Sequence, residues 1–166
     1  MERWKRLAAG LRNSAGRLEP AGAIMDERPF TVLVVDDDPS LRQFIVGVLE
    51  SNGFAFIEAA NERQGLALFK ANSDKIDLVI LDMVMPGMSG LDLAAELERQ
   101  RPGVKVLYIS AHCSSIAMES ILRQSADRVL LTPFTGPALV ERLSHLLNKA
   151  GEDNACASEM GGGESG

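Results

Sequence analysis

The sequence predicts a doubly wound α/β fold, in which five parallel β-strands alternate with helices that cover both faces of the sheet. Short apolar runs, each followed by a segment of helical period, recur along the chain. The runs are apolar at consecutive positions, as strands are when both of their faces are buried. Together these observations predict a (βα)5 unit. The runs comprise residues 32–35, 54–57, 78–81, 104–109 and 129–131.

The first predicted helix has the clearest start signal. Asp38 is placed to cap it, and Pro39 follows at the first helical position, where a missing N–H costs nothing. Its apolar face comprises Leu41, Phe44, Ile45, Val48 and Leu49. The final helix has one apolar side, formed by Leu139, Leu143, Leu146 and Leu147. The helical compositions of segments 62–72, 89–101 and 114–124 complete the repeats.

Length and composition predict one folded domain with an extension at each end. A chain of 166 residues with 46% hydrophobic content is long enough for one core and short for two. We expect the domain to span residues 29–149. We expect residues 1–28 to form a disordered or weakly helical extension. Within it, Trp4, Leu7 and Leu11 recur at helical spacing beside basic residues. The acidic, glycine-rich residues 150–166 predict a disordered tail.

Charge and cysteine usage narrow the class of function. A formal charge of −6 and a pI near 5.0 argue against a nucleic-acid-binding surface. Cys113 and Cys156 lie far apart and outside any CxxC spacing, so neither a disulfide framework nor a zinc site is indicated. No apolar run approaches the roughly 18 residues that a membrane span requires. We therefore expect a cytoplasmic protein with no membrane span.

Carboxylates follow two of the apolar runs. Asp36, Asp37 and Asp38 come directly after the first run, and Asp82 comes directly after the third. In an open α/β sheet, ligand sites lie beyond the carboxyl ends of the strands. If these two strands are neighbours, the acids converge, and a divalent cation with oxygen ligands would relieve their mutual repulsion. Mg²⁺ suits such a site because it keeps several waters and also accepts phosphate oxygens as ligands.

Two hydroxyl residues follow the fourth and fifth runs at the same predicted edge, Ser110 and Thr132. Their hydroxyl groups are placed to hydrogen-bond a tetrahedral anion formed at Asp82. A carboxylate can accept a phosphoryl group when a metal and hydrogen-bond donors neutralise the charge that develops. Each of these residues, taken alone, is also an ordinary cap or turn residue. Their joint placement at successive strand ends favours phosphoryl transfer.

Four strings in the sequence resemble the receiver domain of response regulators in two-component signalling. They are VLVVDDDPSLR, VILDMVMPGMSGLDL, VLYISA and LLTPF, in this order. The resemblance covers about residues 30–148. It implies a flavodoxin-like fold with the strand order 2-1-3-4-5, which residue spacing alone does not reveal.

The resemblance also implies a metal site and a phosphoacceptor. Asp82 matches the aspartate that is phosphorylated, and Asp36 and Asp37 match the acid pair that organises Mg²⁺. Asp37 is expected to bind the ion directly and Asp36 mostly through water. The backbone carbonyl of Val84 is expected to complete the protein ligands.

Three further positions match the family pattern. Ser110 matches the switch residue whose hydroxyl is drawn toward the phosphoryl group, and Ala111 matches the small residue that leaves access for the donor. Arg42 falls on a position where arginine is common, and we assign it no catalytic role.

The chain departs from the family at two positions. Thr132 stands where the family has a lysine before the Pro-Phe pair, and a neutral hydroxyl does not replace a flexible point charge. Val129 stands where the family has an aromatic switch residue. Tyr108, two residues before Ser110, is expected to point toward the same sheet face as Ser110, but it is not at the family's position for this aromatic residue. The Thr132-Pro133 bond is expected to adopt the cis form that the family uses here.

The resemblance implies a signalling domain that is not an enzyme, although it assists its own phosphorylation and dephosphorylation. A sensor histidine kinase or phosphotransfer protein is expected to phosphorylate Asp82. Phosphorylation is then expected to change binding to an unnamed downstream protein, or to a second copy through the last two helices and fifth strand.

Two alternatives remain open. The domain is a phosphorylation-independent binding module, a pseudo-receiver, if the loss of the lysine at Thr132 has removed phosphorylation control. Alternatively, Asp36 and Asp38 after an apolar strand resemble the start of a haloacid-dehalogenase-type phosphatase, whose first aspartate is the nucleophile. That class also needs a separate lysine and a later acidic pair at strand ends, which we do not find in the sequence.

Overall fold

The structure is a computed structural model that describes residues 28–111 and 126–148. The predicted extension before residue 28, the predicted helix at 114–124 and the predicted tail at 150–166 lie outside the described residues. Those three expectations therefore stay predictions.

The described strands form one five-stranded sheet in which every adjacent pair is parallel. Its order, β2-β1-β3-β4-β5, confirms the doubly wound arrangement and the order that the resemblance implied. The predicted runs agree with the strand bounds to within two residues. The strands are β1 (Thr31–Val35), β2 (Ala55–Ala59), β3 (Ile76–Asp82), β4 (Lys105–Ser110) and β5 (Val129–Leu131).

Four α-helices lie in the described parts of the chain, and a short 3₁₀ turn (Ala126–Arg128) precedes β5. The Asp38 carboxylate accepts hydrogen bonds from the backbone N–H groups of Ser40 and Leu41, at 2.8 and 3.4 Å, which confirms the predicted cap. The helices are α1 (Pro39–Ser51), α2 (Glu62–Asn72), α3 (Gly90–Gln100) and α4 (Gly136–Asn148).

The core has two layers, one on each face of the sheet. Val32 and Val34 of β1 pack in the layer formed with α1 and α4. Leu33 and Val35 point the other way and pack in the layer formed with α2 and α3. This confirms why the runs are apolar at consecutive positions. None of the helices in residues 28–111 and 126–148 has the length and apolar character that crossing a bilayer requires.

One member of the predicted apolar face of α1 does not belong to the core. Phe44 keeps 44% of its surface exposed, whereas Ile45 and Leu49 are fully buried. Phe44 lies at the margin of the apolar stripe, where its ring contacts that of Phe134 with 5.8 Å between centroids. The ring therefore lines a surface between α1 and the start of α4.

Candidate functional site

The carboxyl ends of β1 and β3 are neighbours in the sheet, and three acids converge there. One carboxylate oxygen from each of Asp36, Asp37 and Asp82 lies within 4.8 Å of the other two. β1 and β3 pair in register from Val32 with Leu78 to Val35 with Leu81, so the residues after them emerge side by side. The structure thus brings the acids from the two strand ends together, as the sequence predicted.

The three carboxylates differ in their surroundings. Asp36 is 1% exposed, while Asp37 is exposed and Asp82 is half-buried. One oxygen of Asp36, Oδ1, accepts the backbone N–H of Asp38 at 2.7 Å, and Oδ2 is buried with no hydrogen-bond partner. Burial, with the neighbouring charge of Asp82 and Asp37, raises the pKa of Asp36 to about 6. A buried carboxylate with a free oxygen needs a cation or a proton.

Asp82 is held by the loop that follows it. Its Oδ1 accepts the backbone N–H of Val84 at 3.1 Å. Burial raises the pKa of Asp82, and the neighbouring Asp37 adds to the effect, although the backbone hydrogen bonds oppose it. The side chain of Val84 is 73% exposed, so this loop lies at the surface beside the acids.

The donor set suits a hard divalent cation. Asp36, Asp37 and Asp82 offer carboxylate oxygens at close range, and the unpartnered Oδ2 of Asp36 is an oxygen that a cation or its bound water would satisfy. Neutralising one charge would also relieve the repulsion that raises the pKa of Asp36 and Asp82. The residues present therefore fit Mg²⁺ with waters in its remaining positions.

Gly90 is a residue of this site that the sequence reasoning did not single out. Its N–H donates to the carbonyl of Met83 at 3.3 Å, so the loop over residues 83–89 folds back onto the end of β3. A Cβ atom at Gly90 would overlap the backbone oxygen of Asp82 and lie 3.0 Å from Cα of Met83. Glycine therefore allows α3 to begin directly against the backbone of Asp82.

The two predicted hydroxyl residues lie next to each other beyond β3. Ser110 ends β4 and is 1% exposed, and Thr132 follows β5. The N–H of Thr132 donates to the carbonyl of Ser110 at 2.9 Å, and the hydroxyl of Thr132 donates to the same carbonyl at 3.5 Å. The Thr132 hydroxyl thus has a backbone partner, and no side-chain cation stands at this position. The Thr132-Pro133 bond is cis, as predicted.

The aromatic residue Tyr108 stands directly across from the position where the family has its aromatic switch. Tyr108 pairs with Val129 in the β4–β5 register. It is half-buried and, like Leu91, packs against the buried side chains of Met83 and Val129. Because alternate residues of a strand point to the same face, Tyr108 and Ser110 share a face of the sheet. Burial raises the pKa of the Tyr108 phenol.

The side chain of Arg42 contacts the backbone of the site. The guanidinium donates to the carbonyl of Asp36 at 2.7 Å and lies 3.4 Å from the carboxylate of Glu58 at the end of β2. It therefore ties α1 to the ends of β1 and β2. The sequence places Arg42 one helical turn after Asp38, but which residues its side chain contacts depends on the strand order.

A doubly wound sheet with convergent acids at the switch between β1 and β3 defines a class of α/β proteins with an anion or metal site at that edge. Residues 32–144 match the response regulator receiver domain family. The chain therefore belongs to the response regulator receiver family, which confirms the resemblance. Receiver domains are the signalling modules of two-component systems.

Curated relatives are longer than this chain. The phosphate regulon transcriptional regulatory protein PhoB of Pseudomonas aeruginosa is 34% identical over 135 residues, which cover 80% of this chain and 58% of PhoB. Across similar curated relatives, the matched part of this chain covers between 28% and 58% of the relative's length.

Solved receiver structures share the fold. A CheY-like receiver domain protein from Methanospirillum hungatei superposes with a TM-score of 0.66 at 25% identity, covering 75% of this chain and 98% of that one. The CheX-CheY-BeF3-Mg²⁺ complex from Borrelia burgdorferi gives a TM-score of 0.63 at 27% identity, covering 69% of this chain and 87% of that one.

Proposed function

We propose that this domain accepts a phosphoryl group on Asp82 from a sensor histidine kinase or phosphotransfer protein in the cytoplasm, with Mg²⁺ bound beside it. The observation that carries the proposal is the convergence of three carboxylates at one sheet edge, with one buried oxygen left unpartnered. Output would be a change in the binding of another protein.

Asp82 is the acid best placed to act as the acceptor. A carboxylate oxygen of Asp82 forms a bond to phosphorus while the bond from phosphorus to the donor's leaving group breaks. Asp82 is half-buried, so a donor can reach it, whereas Asp36 is closed off from solvent. The backbone N–H of Val84 holds the Asp82 carboxylate in one orientation during the approach.

Asp37, Asp82 and the backbone carbonyl of Val84 are the ligands that we expect to hold Mg²⁺, with Asp36 acting through water. When bound, Mg²⁺ neutralises charge on the transferred oxygens and on the acids. Support comes from the Borrelia burgdorferi complex, which contains BeF3 and Mg²⁺ together with CheX and a structurally similar CheY. Ser110 and Thr132 supply hydroxyl groups on the other side of Asp82.

Acetyl phosphate with Mg²⁺ tests the proposal. We expect the wild-type chain to gain the mass of one phosphoryl group, measured by intact-protein mass spectrometry, and to lose it on treatment with hydroxylamine. The Asp82→Asn variant should gain none, because an amide does not form the acyl phosphate. Omitting Mg²⁺ or adding a chelator should prevent modification of the wild type.

Three outcomes would contradict the proposal. They are no modification of the wild type, equal modification of Asp82→Asn, and modification that needs no divalent ion. A test with a generic phosphate ester separates the phosphatase alternative. Continuous turnover that is lost in Asp36→Asn but kept in Asp82→Asn would support a haloacid-dehalogenase-type enzyme instead.

Thr132 allows the pseudo-receiver alternative to be tested directly. We expect Thr132→Lys to increase the rate of phosphorylation by acetyl phosphate by about 10- to 150-fold, because a charge-assisted hydrogen bond contributes roughly 1.5–3 kcal/mol. Thr132→Met, which is similarly long but uncharged, is the matched control and should not accelerate the reaction. Measurement is by the initial rate of phosphoprotein formation.

The pseudo-receiver alternative makes the opposite prediction for the wild type. A pseudo-receiver would show no phosphorylation in the wild type, and an amide spectrum around Asp37 and Asp82 that does not change on titration with Mg²⁺. The output surface, at β5 and the last two helices, includes residues outside 28–111 and 126–148. Homodimerisation through it remains a proposal.

A further inference from the structure

An open apolar groove runs between α1 and α4, on the face of the sheet that they share. It encloses about 810 Å³ and has Phe44, Gly47, Val48 and Val140 among its lining residues. Phe44 contributes an exposed ring, with 44% of its surface accessible. Apart from its chain neighbours and the backbone of α1 itself, no atom of the described residues lies within 4 Å of a Cβ built on Gly47, so the middle of α1 is uncovered there. A groove of this kind suits the apolar face of a helix.

The chain itself contains a segment of matching character. Trp4, Leu7, Leu11 and Leu18 are separated by three, four and seven residues, which places them on one side if the segment is helical. A helix over residues 4–18 would be about 22 Å long. α1 and α4 each have 13 residues and are about 20 Å long, so the lengths agree.

The charges of the segment and the groove are complementary. Residues 1–17 contain five Lys or Arg residues and one Glu, in a chain whose net charge is −6. Among the described residues that line the groove, the one charged side chain is Glu141. A basic segment is therefore attracted to this surface. The same groove on a second copy of the chain carries the same negative charge and is not attracted to it.

The linker between the segment and the groove is long enough for the segment to reach it. Asn52 lines one end of the groove and precedes Ala55 by three residues, which span at most about 11 Å. The N–H of Ala55 donates to the carbonyl of Phe30 at 2.9 Å, so the described chain begins beside that end. The ten residues from 18 to 28 reach up to about 33 Å when extended. We propose that residues 4–18 dock as a helix in the α1–α4 groove of the same molecule.

Trp4 is the one tryptophan in the chain and reports on its own environment. In the 166-residue chain, we expect its emission maximum to lie at short wavelength and its quenching by acrylamide to be weak. The Gly47→Arg variant should move the emission to that of exposed tryptophan and increase quenching severalfold. The arginine fills the groove and repels the basic segment, and replacing a glycine in a helix does not cost stability by itself.

Two further variants separate docking from a general disturbance. Glu141→Lys should also release Trp4, and high salt should weaken docking in the wild type because the attraction is between charges. Ala95→Arg is the matched control, since Ala95 is exposed on α3 on the opposite face of the sheet, and it should leave the Trp4 emission unchanged. Circular dichroism of each variant checks that the domain is folded.

Several results would overturn the proposal. An emission maximum in the wild type equal to that of free tryptophan would show that Trp4 is not docked. Shielding that persists in Gly47→Arg would place Trp4 elsewhere. Shielding that is lost on dilution, in parallel with a change in sedimentation coefficient, would show that the segment docks on a second copy instead. None of these outcomes bears on whether Asp82 is phosphorylated.

Discussion

Replacing Gly90 with alanine is expected to lower the free energy of unfolding by about 3 kcal/mol, the upper part of the range for overpacking. The added Cβ would overlap the backbone oxygen of Asp82 and lie 3.0 Å from Cα of Met83. These are backbone atoms, so no side-chain rotation relieves the contact. Either the loop after β3 moves or the start of α3 does, and thermal denaturation should show a fall in Tm on the order of 10 °C.

The matched control is the same substitution elsewhere. Apart from its chain neighbours and the backbone of α1, the added Cβ of Gly47→Ala meets no atom of the described residues within 4 Å, so this substitution should be neutral or slightly stabilising. Moving the loop also displaces Asp82, so Gly90→Ala should weaken Mg²⁺ binding, whereas Gly47→Ala should not. Equal Tm values for the two variants would show that the close approach of α3 to Asp82 is not a constraint.

The second large effect is expected from Asp36→Asn, which should stabilise the metal-free protein and weaken Mg²⁺ binding. The carboxylate is 1% exposed, and its Oδ2 has no hydrogen-bond partner. An amide can still accept the N–H of Asp38 without adding a negative charge beside Asp37 and Asp82. Loss of a carboxylate that acts through water should reduce the affinity for Mg²⁺ by about 10–100-fold.

The stabilisation depends on pH in a defined direction. Burial raises the pKa of Asp36 from 3.8 to about 6 in the folded protein. A raised carboxyl pKa contributes stability below the unfolded value, and that stability is lost as the pH rises to about 6. At pH 7 the metal-free wild type should therefore be less stable than Asp36→Asn by up to about 3 kcal/mol, and the difference should shrink toward pH 4.

Urea unfolding of both proteins in the presence of a chelator, from pH 4 to pH 7, measures this difference. Asp38→Asn is the matched control, because it removes the same charge two residues away and asparagine is an equally good N-cap. It should change the free energy of unfolding by less than about 0.5 kcal/mol at every pH. A wild type that is as stable as Asp36→Asn at pH 7 would mean that the buried charge is already compensated.

Mg²⁺ should reverse the loss of stability that the metal-free wild type undergoes between pH 4 and pH 7. The ion binds deprotonated acids, so its apparent affinity should fall as the pH drops below about 6, where Asp36 gains a proton. Saturating Mg²⁺ should restore stability at pH 7 by favouring the folded state to which it binds. Isothermal titration at several pH values measures this dependence.

Local features of the fold could be predicted because they depend on residues that are close together in the sequence. The α1 cap at Asp38 and the bounds of α2 depend on residues within one helical turn, and both agree with the structure. The strand runs are apolar at consecutive positions because both faces are buried, and this pattern does not depend on which strands are neighbours. The presence of acids at the ends of β1 and β3 is equally local.

Other features depend on residues far apart in the chain. Phe44 fits the apolar stripe of α1 but remains 44% exposed, because whether it is covered depends on how α4 approaches. The backbone partners of Arg42 and of the Thr132 hydroxyl are set by the strand order. The contact between Gly90 and the backbone of Asp82 likewise follows from where α3 begins in space.

The sequence by itself determined the alternation of strands and helices, the capped start of α1 and the set of acidic and hydroxyl residues at the strand ends. Side-chain periodicity and capping act over a few residues, so they can be read along the chain. Only the tertiary structure decided how closely Asp36, Asp37 and Asp82 approach, which of them is buried, and that α1 and α4 leave a groove open. Those properties arise from packing between distant segments, because burial and electrostatic coupling depend on distances that chain order does not specify.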